Sequence, residues 1–259
     1  MKNNVNDKFV EYFSEFKDCY VVIGGTALSI VTTLIGLTTR ATKDYDLVLI
    51  EENLTKEFMD RFHKFVEDAG YNQYKKLNDS KHSLYRFDKP TNKDFPEMIE
   101  IYSRNPIDFK LSVMNQRRPI AFDGADSLSA LLLSDEYYSM IEYATLLSGE
   151  GLSYLSIGYL IVFKAKAWLD LTLRKELGEK VKSSDIKKHI NDVFQLAQGL
   201  TGNELLHLNE IVVEDMKKFI QRMNESEIDY AINIRSAFSK EETVEVLVKL
   251  FCDSQILVN

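Results

Sequence analysis

Cysteine is almost missing. Only Cys19 and Cys252 occur in 259 residues, too far apart for a disulfide framework or for metal-ligand spacing. That usage fits a reducing cytoplasm. His63, His82, His189 and His207 are scattered, none in H-E-x-x-H spacing, which argues against a zinc site. With 4 Pro and 11 Gly there is little material for disordered linkers, collagen-like repeats or Pro-rich docking segments. No apolar run approaches the ~20 residues that cross a bilayer. The longest, Ile157 to Phe163, leads straight into Lys164, and the opening MKNNVNDKFVEYF lacks the apolar stretch of a secretory signal. A cytoplasmic chain without a membrane partner is therefore expected. Basic charge is also short: 32 Lys plus Arg against 40 Asp plus Glu give a net −8, so nucleic acid would have to be held by a local patch.

The length allows one or two domains, with enough apolar residues for a sizeable core. Periodicity predicts a helix over Val5–Phe16, with Phe9, Tyr12, Phe13 and Phe16 at helical spacing, then a buried strand Cys19–Ile23 stopping at Gly24-Gly25. A helix Thr26–Leu37, a strand Asp44–Ile50 and a helix Glu57–Asp68 follow. Strands near Tyr71–Leu77 and His82–Phe87 and a stronger one at Met98–Tyr102 complete a mixed sheet with packed helices. From Ser156 the pattern turns helical: Ile157–Leu177, Asp185–Gln198 with Ser183 or Ser184 as N-cap, Asn203–Arg222, Ser226–Ala237 and Lys240–Phe251. The expected organisation is α+β, an α/β domain over 1–155 and a helical domain over 156–259.

Three features carry chemistry. Gly24-Gly25-Thr26, between a strand and a helix, lets a backbone approach a phosphate at a helix N-terminus, although such a turn is commonly only a turn. It is neither a Walker A loop nor a G-x-G-x-x-G fingerprint. Asp44-x-Asp46 puts two carboxylates on one face of a strand, where they repel unless a cation lies between them. Mg²⁺ is the natural choice, or Mn²⁺ in its place. Composition alone yields about six acid-x-acid pairs, so position is what singles this one out: it opens an otherwise apolar strand. Glu100, among Met98, Ile99, Ile101 and Tyr102, is an acid in an apolar strand, costly unless paired or metal-bound. The bland reading is an edge strand with Glu100 facing water. Glu97 has the wrong phase.

Together these features resemble the nucleotidyltransferase superfamily with the polymerase-beta type fold. The stretch Ile23-Gly-Gly-Thr-Ala-Leu28 … Arg40-Ala-Thr-Lys-Asp-Tyr-Asp-Leu47 is most similar to the AbiEii/AbiGii-type toxin nucleotidyltransferases. The resemblance extends to a Lys on a later helix, here Lys164-Ala-Lys-Ala-Trp-Leu, followed by Asp185-Ile-Lys-Lys-His-Ile-Asn-Asp192. The third acid is Glu rather than the Asp of many relatives, and Lys188-His189 replaces an Arg-Asp pair.

The resemblance implies an Mg²⁺-dependent enzyme that moves a nucleoside monophosphate from a nucleoside triphosphate to a hydroxyl acceptor. A tRNA 3′ end or another RNA is the implied acceptor, with a toxin role in a toxin–antitoxin or phage-defence pair and an antitoxin protein as partner. Asp44, Asp46 and Glu100 would be catalytic and metal-binding; Gly24, Gly25, Thr26, Lys164 and Asp192 would bind the nucleotide. From the residues themselves, Lys164 lies in an apolar stripe where an ammonium wants an anion, and a snorkelling lysine is the rival reading. Asp185, Lys188, His189 and Asp192 share a helix face that a solvated charged surface explains equally well. The segment Arg174–His189 and the pair Arg117-Arg118 are basic spots. The alternative to an enzyme is a catalytically silent nucleotide-binding or partner-binding module on the same fold.

Overall fold

A computed structural model of the chain describes residues 7–37, 42–78, 83–104, 134–226 and 236–253. Arg40, the pair Arg117-Arg118 and residues 227–235 of the predicted helix Ser226–Ala237 lie outside the described residues. The fold is mixed α+β, in two compact units. The first takes Met1–Ile30, Arg40–Ser134 and Thr145–Leu155; the second takes Val31–Thr39, Asp135–Ala144 and Ser156–Asn259. Val31–Thr39 and Asp135–Ala144, placed by the sequence reading in the first part, thus belong to the second unit.

In the first unit the described strands are β1 (Tyr20–Ile23), β2 (Asp44–Leu49), β3 (Tyr71–Asn78), β4 (Ser83–Pro90), β5 (Met98–Ser103), β6 (Thr145–Leu147) and β7 (Ser153–Leu155). They form one mixed sheet in the order β3-β4-β5-β2-β1-β7-β6. β1 runs antiparallel to β2 and parallel to β7, β2 is parallel to β5, and β5 is antiparallel to β4.

Register and the two-residue alternation of strands separate the two faces. One face is apolar: Val22 opposes Leu47, Leu47 opposes Ile101, and Ile101 opposes Tyr85, while Tyr45 opposes Ile99 and Ile99 opposes Phe87. Helices α1 (Asp7–Phe13) and α3 (Lys56–Ala69) cover it. Phe9 stacks on Tyr45 with ring centroids 4.2 Å apart, and Phe62 meets Phe87 edge-on at 5.4 Å. Phe58, Phe62, Phe65, Val66 and Ala69 form the buried stripe of α3. Each large side chain so buried contributes about 1.5–3 kcal/mol relative to exposure. α3 is bounded by its own chemistry: Thr55 accepts the Phe58 N–H at 3.2 Å, and Gly70 ends the helix at φ +59°. The opposite face of the sheet carries the acids.

In the second unit the helices are α4 (Asp135–Tyr138), α5 (Ile141–Ala144), α6 (Ile157–Glu176), α7 (Ser183–Ala197), α8 (Glu210–Glu225) and α9 (Lys240–Val248). α6 is buried over most of its first thirteen residues, and its Trp168 meets Phe219 of α8 at 5.4 Å, edge to face. Two expectations need correction. Ser183 is the first residue of α7 and Lys182 its cap, with no side-chain capping bond, so neither serine caps the helix. The helix expected from Asn203 begins at Glu210, where Asn209 accepts the Val212 N–H at 3.0 Å. The reason lies upstream: Glu204 accepts the backbone N–H groups of Thr201 and Gly202 at 2.7 and 2.9 Å, and this fixes a turn that a helix cannot include.

Candidate functional site

β1 ends at Ile23, and helix α2 (Gly24–Leu34) starts at once. Gly24 is left-handed at φ +64°, a conformation that only glycine adopts without penalty. A methyl group there would lie 1.8 Å from Asp46 Oδ2 and 2.8 Å from its Cγ. The glycine is therefore required twice, by the backbone turn and by the carboxylate that sits against it. Gly25 carries no such demand: a methyl would meet Thr42 Oγ1 at 3.5 Å, an ordinary contact. Thr26 is buried and its hydroxyl donates to the Asp44 carbonyl at 2.5 Å. That bond ties the first turn of α2 to the start of β2, so what the turn offers to a ligand is backbone N–H rather than the Thr26 side chain. Thr42 Oγ1 accepts the Asp44 N–H at 3.2 Å and helps fix the same strand end.

Register places the three predicted acids on one face of two adjacent parallel strands. Asp46 opposes Glu100, and Asp44 opposes Met98. Asp44 and Asp46 are half-buried, and Glu100 is 8% exposed. β5 lies between β4 and β2, so the edge-strand reading of Glu100 is overturned. The burial of this carboxylate is compensated by an arginine. Arg86, directly across on β4, donates Nε–H to Glu100 Oε1 at 2.6 Å, and a second guanidinium N–H reaches the same oxygen. Tyr102, two residues further along β5, donates its hydroxyl to Glu100 Oε2 at 3.1 Å. Its pKa is pushed well above the usual phenol value by burial and by the negative charges of Glu100 and Asp46. Glu97, in contrast, is exposed and paired with Lys43 at 3.0 Å.

Among the described residues no three His, Cys, Asp or Glu side chains are grouped closely enough to hold a metal ion. The residues fit a divalent cation in part. Asp44 and Asp46 supply two carboxylates on one strand face, and the missing Cβ of Gly24 leaves room for one of them. Glu100 does not join them while Arg86 holds it.

Lys164 and Asp192 belong to the second unit. Lys164 Nζ lies 2.5 Å from Asp192 Oδ2, and both side chains are about nine-tenths buried. The solvated-face reading of α7 therefore holds at Asp185 and Lys188, which are exposed, and fails at Asp192. His189 shares this environment. Burial, then the positive charges of Lys164 and Lys188, hold its pKa down to about 3, and its Nδ1 is buried without a hydrogen-bond partner. Lys166 pairs with Asp170 at 3.7 Å, as its i+4 spacing suggests, and more closely with Asp215 at 2.9 Å. Tyr137 also donates to Asp215, at 2.9 Å.

Sequence reasoning missed Arg86. The available signal was Tyr85-Arg86-Phe87, a cation alternating with two aromatics in a candidate strand, the pattern of a charged residue on a face opposite a core. No model of a known protein family matches the chain, and no curated protein matches it.

Proposed function

We propose that the chain is a metal-dependent nucleotidyltransferase that moves a nucleoside monophosphate from a triphosphate to a hydroxyl acceptor. The reading is carried by one observation: Asp44, Asp46 and Glu100 occupy the same face of β2 and β5, and the carboxylate of Asp46 rests against the Gly24 turn. Asp44 and Asp46 would hold Mg²⁺, or Mn²⁺ in its place. A divalent cation there supplies charge stabilisation for the attacking and leaving oxygens of a phosphoryl displacement. The chain's own residues do the rest. The turn at Gly24, Gly25 and Thr26 presents the start of an eleven-residue helix, whose unpaired N–H groups and positive dipole end suit the β- and γ-phosphates. The Thr26 hydroxyl keeps that turn in place through the Asp44 carbonyl. This mechanism does not need Lys164, whose ammonium Asp192 already neutralises.

An RNA 3′ end is the favoured acceptor, with a toxin role under the control of an antitoxin. The support is the resemblance of the Gly24–Leu28 and Arg40–Leu47 motifs. The net charge of −8 suits a short acceptor stem better than an extended RNA footprint.

A specific observation favours a second reading. Glu100 is held by Arg86 and Tyr102 and is therefore not free to take a proton from an acceptor hydroxyl, as expected of a catalytically silent nucleotide-binding module. One experiment separates the two. The protein is incubated with Mg²⁺, each labelled nucleoside triphosphate in turn, and total RNA. An enzyme transfers label to RNA and releases pyrophosphate, and Asp44→Ala abolishes both. A silent module is stabilised by nucleotide, by about 2.7 kcal/mol at 100 times the dissociation constant, and releases no pyrophosphate. Label transferred equally by Asp44→Ala would refute the proposal.

A further inference from the structure

We infer that Arg86 is a built-in counter-cation for Glu100, which a divalent cation must displace before Glu100 can act. The inference rests on the metal-dependent reading above and assigns to a residue outside the three acids control over that site.

The geometry is specific. Arg86 and Glu100 are directly opposed partners on antiparallel β4 and β5, and each side chain is only 11% exposed. Two guanidinium N–H groups converge on Oε1, while Tyr102 satisfies Oε2. Both carboxylate oxygens are thus occupied by donors. Glu100 nevertheless shares its face with Asp46, its register partner on the other side. Glu100 therefore stands between two positions for positive charge: the guanidinium on the β4 side and the Asp44–Asp46 strand on the β2 side. A buried carboxylate must keep a cationic partner or hydrogen-bond donors in either state. Arg86 keeps the face compensated without metal, and the apparent metal affinity is scaled down to the fraction of molecules in which Arg86 has released Glu100. Arg86 is on this account a positioning residue.

The test measures Mn²⁺ binding by calorimetry and by the Mn²⁺-dependent rise in melting temperature, with no need for turnover. Arg86→Gln should bind Mn²⁺ about tenfold more tightly than the wild type. Arg86→Lys, which keeps the charge and loses the planar fork, should fall between them. The gain should vanish in Arg86→Gln/Glu100→Gln, because the group that is released has been removed. Should Arg86→Gln fail to fold without metal, the ordering of wild type and Arg86→Lys still decides. Wild-type affinity in both single variants, or a gain that survives Glu100→Gln, would overturn the inference and leave the metal reading standing if Asp44→Asn abolishes binding. No Mn²⁺ binding by the wild type or any variant would overturn both.

Discussion

Replacing Gly24 by alanine tests the geometry of the turn directly. The substitution has two separable costs. The backbone at φ +64° is left-handed, which costs a residue bearing Cβ about 1–2 kcal/mol. The new methyl would also overlap Asp46 Oδ2 at 1.8 Å and crowd Asp46 Cβ at 3.1 Å, so the carboxylate must leave its rotamer, at about 0.5–1.5 kcal/mol. The sum is about 1.5–3.5 kcal/mol of lost stability. Gly25→Ala is the internal control, since its methyl meets Thr42 at an ordinary 3.5 Å and its backbone is not left-handed. Alanine in that helical turn should be neutral or stabilising by up to about 1 kcal/mol. Urea unfolding of the two variants, followed by tryptophan fluorescence and far-ultraviolet dichroism, should separate them by about 3 kcal/mol. A third variant, Gly24→Ala/Asp46→Ala, should recover the steric part and leave the backbone part. Equal stability of Gly24→Ala and Gly25→Ala would refute the reasoning, and so would a double variant no more stable than Gly24→Ala.

Lys164→Met should cost about 3–5 kcal/mol, because it strands the buried Asp192 carboxylate, whereas Lys164→Met/Asp192→Leu should recover most of that loss; denaturant midpoints check both. The pH dependence of stability carries a signature of His189. Its folded pKa is about 3 against the ordinary 6.5, so below about pH 6.5 the unfolded chain takes up a proton that the native state refuses. This residue's stabilisation is complete above 6.5 and is lost as pH falls toward 3, with a slope of about 1.4 kcal/mol per pH unit. His189→Gln should flatten that slope between pH 6.5 and 4, and an unchanged slope would count against the burial of this imidazole.

What could be read from the sequence was what repeats locally. The two-residue period of Asp44-x-Asp46 and Met98-x-Glu100-x-Tyr102 put acids on one strand face before any partner strand was known, and the 3.6-residue stripe of Phe58, Phe62, Phe65 and Val66 fixed the core side of α3. Pairing across the chain could not be read. Arg86 and Glu100 are 14 residues apart, and Lys164 and Asp192 are 28 residues apart, so nothing in the spacing links them. β6 and β7 escaped notice because three residues are too few to display a period, and because Leu146 and Leu147, both exposed, break the rule that apolar residues face inward. The late start of α8 was hidden for a different reason: Glu204 reads as a helix former, but its carboxylate serves the backbone of the preceding turn.

The parallel partner of β1 is β7, whose Tyr154 lies beside Val22, and Ser153 Oγ donates to the Lys17 carbonyl. A strand made among the first 25 residues thus waits for one made after 150. Until Ser153–Leu155 has been made, the side of β1 away from β2 lacks the strand that covers it in the folded chain, and an uncovered strand edge is a template for pairing with other segments. A chain cut short before Ser153 therefore leaves that edge of β1 without its native partner.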